Sequence, residues 1–295
     1  MSASTAAGVL TRPAVRTGSA RRGRALPTAV LLAGALYCLV PVAWVVVAAS
    51  KSPDELFSTF TFSPGTGLLG NLRDLFAYGG GQYGRWGLNS VLYAGVGALT
   101  STLVSALAGF GLAKYRFAGR DAIFYGILGG VLIPGITLAV PQYLLLSKVG
   151  LTGSYWSVLL PSIISPFGIY LCRVYATAAV PDETLEAARI DGAGESRIFA
   201  RIAVPMMVPG LVTVFMLQFV GIWNNFLLPF IMLSDQNKYP MTVGLYTLLA
   251  KGSGEASLYS LAITGAMLSI LPLLALMLVL QRFWQLDLLS GGVKG

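Results

Sequence analysis

Six long stretches of this chain contain no Asp, Glu, Lys or Arg: residues 27–50, 87–113, 122–147, 149–172, 202–234 and 256–281. Each exceeds the roughly 18 residues at which an apolar segment becomes a candidate membrane span. Hydrocarbon offers no partner for backbone N–H and C=O groups, so a crossing segment satisfies them internally, as a helix. Strands of a membrane β-barrel alternate polar and apolar residues, and these runs do not. The pattern predicts an all-α, polytopic membrane protein with six transmembrane helices at about 27–50, 87–113, 122–147, 154–172, 205–233 and 258–281. Charged residues make up only 11% of the chain, against about 25% in soluble domains, which argues against a soluble enzyme.

Two of these assignments carry alternatives. The third and fourth runs are separated by Lys148 and a small turn signal, Gly150 and Gly153. Together they hold roughly 50 residues, more than one crossing uses, so two spans are expected; a re-entrant or single very long helix is the alternative. The first run ends in Ala48-Ala49-Ser50, which resembles a signal-peptide cleavage site. Its apolar part of about 20 residues is longer than the about 7–15 of a signal peptide, so an uncleaved anchor is expected.

The positive charges set orientation. With the N-terminus inside, 14 of the 20 Lys and Arg fall on inner segments: Arg12, Arg16, Arg21, Arg22, Arg24, Lys114, Arg116, Arg120, Arg173, Arg189, Arg197, Arg201, Arg282 and Lys294. Lys51, Arg73, Arg85, Lys148, Lys238 and Lys251 fall outside. This bias places both termini in the cytoplasm. It also accounts for the net charge of +8 without nucleic acid as a partner. There is no His, which removes the usual acid–base group. Cys38 and Cys172 sit in apolar runs, read as buried thiols, and support neither a metal site nor a disulfide.

Outside the spans, residues 1–26 read as a basic, disordered cytoplasmic tail near the lipid surface. The first outer segment carries Phe57, Phe60, Phe62, Tyr78, Tyr83 and Trp86, read either as an interfacial aromatic belt or as a contact surface for an external partner. The second span is rich in Gly, Ala and Ser, and the third contains Gly126-x-x-x-Gly130, both signals of close helix packing. Pro41, Pro134, Pro141, Pro161, Pro166, Pro209, Pro229 and Pro272 lie inside the runs and predict kinks.

The inner segment 173–205 is unlike the rest. Five of the chain's 12 acids lie here: Asp182, Glu183, Glu186, Asp191 and Glu195. Pro181 can open a helix whose first turn holds Asp182 and Glu183, where the helix dipole favours negative charge. Gly192 stands where a left-handed cap is needed. A second short helix is expected over about 194–201, and Pro205 opens the fifth span. Leu185, Ala188 and Ile190 are expected to form the apolar side of the first helix. A helix lying on lipid normally carries Lys or Arg and bulky anchors; this one is acidic and rich in Ala, which favours a protein partner.

Glu186-Ala187-Ala188, three residues, Gly192, nine residues and Ile202-x-x-Pro205 resemble the EAA loop of ABC importer permeases. Val204 replaces the usual Leu before the proline, a mild departure. Asn89-Ser90, Ala113-Lys114-Tyr115-Arg116-Phe117 with Gly119-Arg120, Trp223-Asn224-Asn225 and the C-terminal Gly291-Gly292-Val293-Lys294-Gly295 are similar to the maltose-type carbohydrate permeases, in particular to the smaller, six-span partner of a heterodimer. The resemblance implies a MetI-like permease fold in the bacterial inner membrane. It implies four partners: a second permease subunit, two ATPase subunits and an extracytoplasmic solute-binding protein. It implies docking of the ATPase on Glu186, Ala187, Ala188, Asp191 and Gly192, with Ile202 and Pro205 anchoring the loop. ATP and Mg would then belong to the ATPase chains, with no cofactor on this one and no catalysis by it. The solute implied is a carbohydrate, or else a polyol or glycerol phosphate.

The residues agree with that division of labour. No G-x-x-x-x-G-K-[ST] phosphate loop is present; Gly192-Ala193-Gly194 and Gly252-Ser253-Gly254 lack the Lys. An ion-coupled carrier is the alternative class, but such carriers commonly keep ionisable residues at membrane depth, and the six runs hold none of Asp, Glu, Lys, Arg or His. A membrane enzyme would need a nucleophile, base or metal, and none is arranged here. Candidate pathway residues are neutral: Gln218, Gly221 and Asn225 on one face of the fifth span, flanked by Trp223 and Asn224, with Gln142, Tyr143, Ser162, Ser165 and Asn89 in addition. Their amides can bind sugar hydroxyls, or can equally join helix to helix.

Overall fold

The computed structural model describes residues 22–252 and 255–291, and among these there are helices and connecting segments but no strand. Most of the basic tail (residues 1–21) and the last four residues of the C-terminal glycine motif lie outside the described residues. The chain divides into two units at Trp44 and Val45. In the first, helix α1 (Arg22–Ala49) begins inside the stretch assigned to the tail. From Leu26 to Trp44 its side chains are exposed and mostly apolar, Leu31, Leu36 and Tyr37 among them, as expected of a helix solvated by lipid. Cys38 is exposed here, so the reading of both cysteines as buried holds for Cys172 alone.

The second unit holds the remaining helices: α2 (Pro53–Ser58), α3 (Leu68–Ala77), α4 (Gln82–Lys114), α5 (Arg120–Val131), α6 (Gly135–Lys148), α7 (Trp156–Ile163), α8 (Pro166–Ala179), α9 (Asp182–Ile190), α10 (Glu195–Ile198), α11 (Val204–Trp223), α12 (Leu227–Met232), α13 (Met241–Lys251) and α14 (Ala256–Gly291). Helix α4 is the post around which α7, α8 and α11 pack. Its Ala94, Ala98, Ser101, Ser105, Ala106 and Gly109 are buried and small. Helix α8 approaches closely at Gly109, where an added Cβ would stand 2.5 Å from Cys172 Cβ. At Gly210 of α11 it would stand 2.3 Å from the Tyr175 ring. Without hydrophobic drive between helices in lipid, such van der Waals contact is what holds them together. The Gly126-x-x-x-Gly130 pair does not pack this way: nothing stands near Gly126, and Gly130 meets only Pro166, at 3.5 Å.

Among the described residues, five stretches are long and apolar enough to cross a membrane: 26–49, 82–114, 156–179, 195–223 and 256–283. The third charge-free run is instead the pair α5 and α6, bent by 103° at a break before Pro134. The fourth breaks at Ile164–Ser165, where Pro166 opens α8, and the fifth breaks after Trp223. Pro41, Pro141, Pro161, Pro209 and Pro272 lie within helices. Helix α8 also continues to Ala179, beyond the Cys172 at which its charge-free run stops. Arg173, a good helix former, does not end it, and its guanidinium sits 3.6 Å above the Phe124 ring of α5, a cation–π contact.

At one end of α4 a buried cluster gathers Phe110, Cys172, Ala176, Val180, Leu185, Ile198 and Met207 from α4, α8, α9, α10 and α11. At the other, Leu75, Tyr83, Trp86, Met241 and Leu248 join α3, α4 and α13. There the segment 235–240 is strapped across α4: Asn89 Nδ2 donates to the carbonyls of Asn237 (2.8 Å) and Tyr239 (3.0 Å), Trp86 Nε1 donates to Gln236 O (3.1 Å), and Met241 N donates to Ser90 Oγ (2.7 Å).

Candidate functional site

The acidic segment forms a rigid hairpin. Helix α9 opens after Pro181 and closes in a Schellman motif: Ala193 N donates to Ala188 O and Gly192 N to Arg189 O, both at 3.0 Å, with Gly192 at φ +79°. Short α10 follows. It does not end before α11, as the expectation of a separate helix over 194–201 had it. The ladder widens to a π turn at Phe199–Ala203, with Val204 N bonded to Phe199 O, and runs straight into α11. Pro205 has no N–H and its ring crowds the carbonyl four residues back, so the backbone loosens immediately ahead of it.

Leu185 and Ala188 are buried, at 2% and 8% exposure, whereas Ile190 is 86% exposed. Residues three apart share a helix face; two apart, they lie on opposite sides. Ile190 therefore belongs to the outward surface together with Glu186, Ala187, Asp191 and Gly192. Of the remaining docking candidates, Pro205 is exposed, Ile202 is half-buried against the core, and Ala188 packs inside it. The hairpin is held to α4 by charge. Lys114 Nζ meets Asp182 Oδ1 at 2.8 Å. Arg189 grips both oxygens of Glu195 (2.8 and 3.3 Å), and the Tyr115 hydroxyl donates to Glu195 at 2.6 Å. The hydrogen bond from Lys114 holds Asp182, and those from Arg189 and Tyr115 hold Glu195, below the usual carboxylate range.

The second site is a cavity of about 590 Å³ at the three helix breaks. Gly135 and Ile136 reach it from the start of α6, Ser165 and Pro166 from the start of α8, and Asn224 to Phe226 from the gap between α11 and α12. Six neutral polar side chains line it: Gln142, Ser162, Ser165, Gln218, Asn224 and Asn225. No Asp, Glu, Lys or Arg is among the lining residues. Gln218 Nε2 donates to Ser165 Oγ, tying α11 to α8. Asn224 is exposed and its amide donates to Val220 O. Asn225 is fixed by Thr242, whose hydroxyl donates to Asn225 O at 2.8 Å.

Gly221 also lines this cavity; Tyr143, Trp223 and Asn89 do not. Trp223 is buried against Phe219, Ala94 and Ala98, since one step along a helix turns a side chain by about 100°, away from the cavity that Ile222 lines. Tyr143 lies next to Gln142 but around the helix, on an exposed surface of α6. Asn89 is a strap residue, spending its amide on the 235–240 segment and accepting from Tyr155. Sequence reasoning missed Pro161, Ile222 and Phe226, apolar lining that no local pattern marks.

Comparison with known proteins places this geometry. A family described as "Binding-protein-dependent transport system inner membrane component" matches residues 101–286. The chain is 34% identical over 264 residues to the Arabinooligosaccharides transport system permease protein AraQ of Halalkalibacterium halodurans, covering 88% of this chain and 93% of that one. It is 32% identical over 266 residues to the Lactose transport system permease protein LacG of Rhizobium radiobacter, covering 90% and 94%. It is 31% identical over 259 residues to the sn-glycerol-3-phosphate transport system permease protein UgpE of Pectobacterium atrosepticum, covering 86% and 92%. The fold matches a solved bacterial ABC transporter involved in the import of the acidic polysaccharide alginate, with a TM-score of 0.76 at 20% identity over 92% of this chain and 99% of that one. With family, relatives and fold in agreement, the chain belongs to the inner membrane components of binding-protein-dependent transport systems, the permeases of ABC importers.

Proposed function

We propose that this permease forms one half of the translocation pathway for a carbohydrate and performs no chemistry itself. In this reading ATP and Mg are bound by two separate ATPase subunits, a second permease supplies the other half of the pathway, and an extracytoplasmic solute-binding protein delivers the solute. The chain crosses the membrane six times, the bent α5–α6 pair counting as one crossing, with both termini in the cytoplasm. The relatives for arabinooligosaccharides and lactose support the solute class. The relative for glycerol phosphate keeps a phosphate in view, but the cavity lining carries no cation to meet one. Amides and hydroxyls both donate and accept, as sugar hydroxyls do.

One observation carries the reading. Helices α8 and α11 flank the α9–α10 hairpin in sequence, and the far ends of both line the cavity. A push on the outward face of α9 (Glu186, Ala187, Ile190, Asp191) reaches α8 and α11 through Leu185, Ala188, Ile198 and Met207. Those two rods end at Ser165 and at Gln218 to Asn225. Docking by an ATPase on α9 thereby moves the cavity walls.

The test uses the chain assembled with its ATPase and binding-protein partners in vesicles. Gln218→Ala and Asn225→Ala are expected to lower uptake of the cognate sugar about 2–10-fold each, the range of one lost neutral hydrogen bond, while ATP hydrolysis continues. Unchanged uptake in both variants would remove the cavity from the pathway.

A further inference from the structure

The segment joining α4 to α5 forms an open surface pocket of about 320 Å³, lined by Arg116, Phe117, Gly119, Arg120, Asp121 and Ala122. None of its lining residues belongs to the coupling hairpin or lines the pathway cavity. Arg116 is exposed, and among the described residues its guanidinium makes no hydrogen bond or ion pair, though its charge acts on Asp182 of the hairpin. Arg120 gives only its Nε to Asp121 Oδ1, at 3.2 Å, which leaves the other edge of the guanidinium for another acceptor. The nearby Asp182 is already engaged by Lys114. The lining thus carries two cations and one anion.

Depth decides what an anion there would be. The pocket sits at the ends of two apolar helices whose flanks are exposed: Leu103 and Leu107 on α4, Ile123 and Tyr125 on α5, with Phe117 exposed at the pocket itself. Exposed apolar flanks on helices of this kind suit acyl chains. Arg116 lies two residues past the apolar stretch 82–114 and Arg120 opens α5, so both arginines stand at the ends of these helices rather than along them. A phosphodiester carries one negative charge, matching the net charge of the lining, and offers the two unesterified oxygens that a guanidinium fork accepts well.

We propose that this pocket binds the phosphodiester headgroup of an anionic glycerophospholipid, with Arg116 and Arg120 on the phosphate and Phe117 against the first carbons of the acyl chains. Basic pockets between membrane helices on the inner side recognise such headgroups. The site anchors the α4–α5 connection beside Lys114 and Tyr115, the two residues that hold the coupling hairpin.

The full-length chain, purified in mild detergent and exchanged into nanodiscs of phosphatidylcholine doped with phosphatidylglycerol, tests this by native mass spectrometry of retained lipid. Preferential retention of phosphatidylglycerol is expected. Arg116→Gln is expected to reduce it about fivefold, from the approximate worth of one basic residue at a lipid surface, and Arg120→Gln likewise. Asp121→Asn, which raises the pocket charge by one, is expected to increase it, so the proposal is tested even if an arginine variant misfolds. Equal retention of the two lipids, or retention indifferent to all three substitutions, would overturn it. Displacement by inorganic phosphate would reassign the pocket to a soluble anion, and release of the lipid on adding the ATPase chains would reassign it to a protein interface; either result defeats the lipid assignment.

Discussion

Gly192 is the residue on which the coupling hairpin turns. Its φ of +79° is left-handed, and no atom lies within 4 Å of where a Cβ would be, so what a substitution meets there is backbone strain rather than a clash within this chain. An L-residue other than Gly, Asn or Asp pays roughly 1–2 kcal/mol in that region. Gly192→Asn and Gly192→Leu separate two roles. If only the turn matters, Asn, which tolerates the conformation, retains most transport and Leu does not. If an ATPase packs against this surface, both substitutions leave hydrolysis poorly coupled to uptake. The docking reading predicts the second outcome, measured as sugar transported per ATP hydrolysed in vesicles. The need for a glycine here was legible in the sequence, because a helix of good formers stopping at a glycine calls for a left-handed cap. The orientation of Ile190 was legible too, by counting 100° per residue, and the expectation that grouped it with Leu185 and Ala188 followed its apolarity instead. Asn89 and Trp223 were beyond such counting: their partners lie far along the chain, in the 235–240 strap and on α4.

At the scale of elements, the charge-free runs located the helices but not their breaks. Absence of charge reports solubility in lipid, and a broken helix is as apolar as an intact one. Pro134 and Pro166 mark two of the breaks, yet Pro41, Pro141 and Pro209 sit inside continuous helices. A proline breaks a helix only where neighbours or a cavity satisfy the freed backbone, which depends on packing. The meeting of α4, α8 and α11 near the α8 break gives this a measurable form. A Cβ on Gly168 would stand 2.6 Å from Ser105 Oγ, 3.1 Å from Gln218 Nε2 and 3.2 Å from Ser165 Cβ. Gly168→Ala is expected to cost about 1–3 kcal/mol as an overpacked contact, read as a lower unfolding midpoint in detergent. Ser105 Oγ is buried and makes no hydrogen bond, so Ser105→Ala alone is expected to be neutral or stabilising. The double variant is expected to recover much of the loss. If Ser105→Ala destabilises as much as Gly168→Ala, that hydroxyl has a partner and this account of the junction is wrong.

For the whole molecule, the number of crossings rests on the bent α5–α6 pair, and the landmarks at its two ends bear on it. The pair begins at Gly119, just past the Lys114 end of α4 where the hairpin is tied down. After it, Tyr155 at the start of α7 hydrogen-bonds Asn89, near the other end of α4. The pair therefore travels the length of α4 in spite of its 103° bend. With the pair counted as one crossing, as proposed above, three passages lie between Phe60 and Ile190: α4, then α5 with α6, then α7 with α8. On the proposed topology an odd number puts the two residues on opposite faces, with Ile190 on the cytoplasmic one. Phe60 and Ile190 are 77% and 86% exposed, so cysteines placed there are open to a membrane-impermeant maleimide. In a Cys38→Ser background with the ATPase chains stripped away, Phe60→Cys is expected to label in spheroplasts and Ile190→Cys only in inverted vesicles. Labelling of both from one side would mean that α5 and α6 enter and leave by the same face; α9 would then sit with the aromatic segment around Phe60, out of reach of any cytoplasmic ATPase.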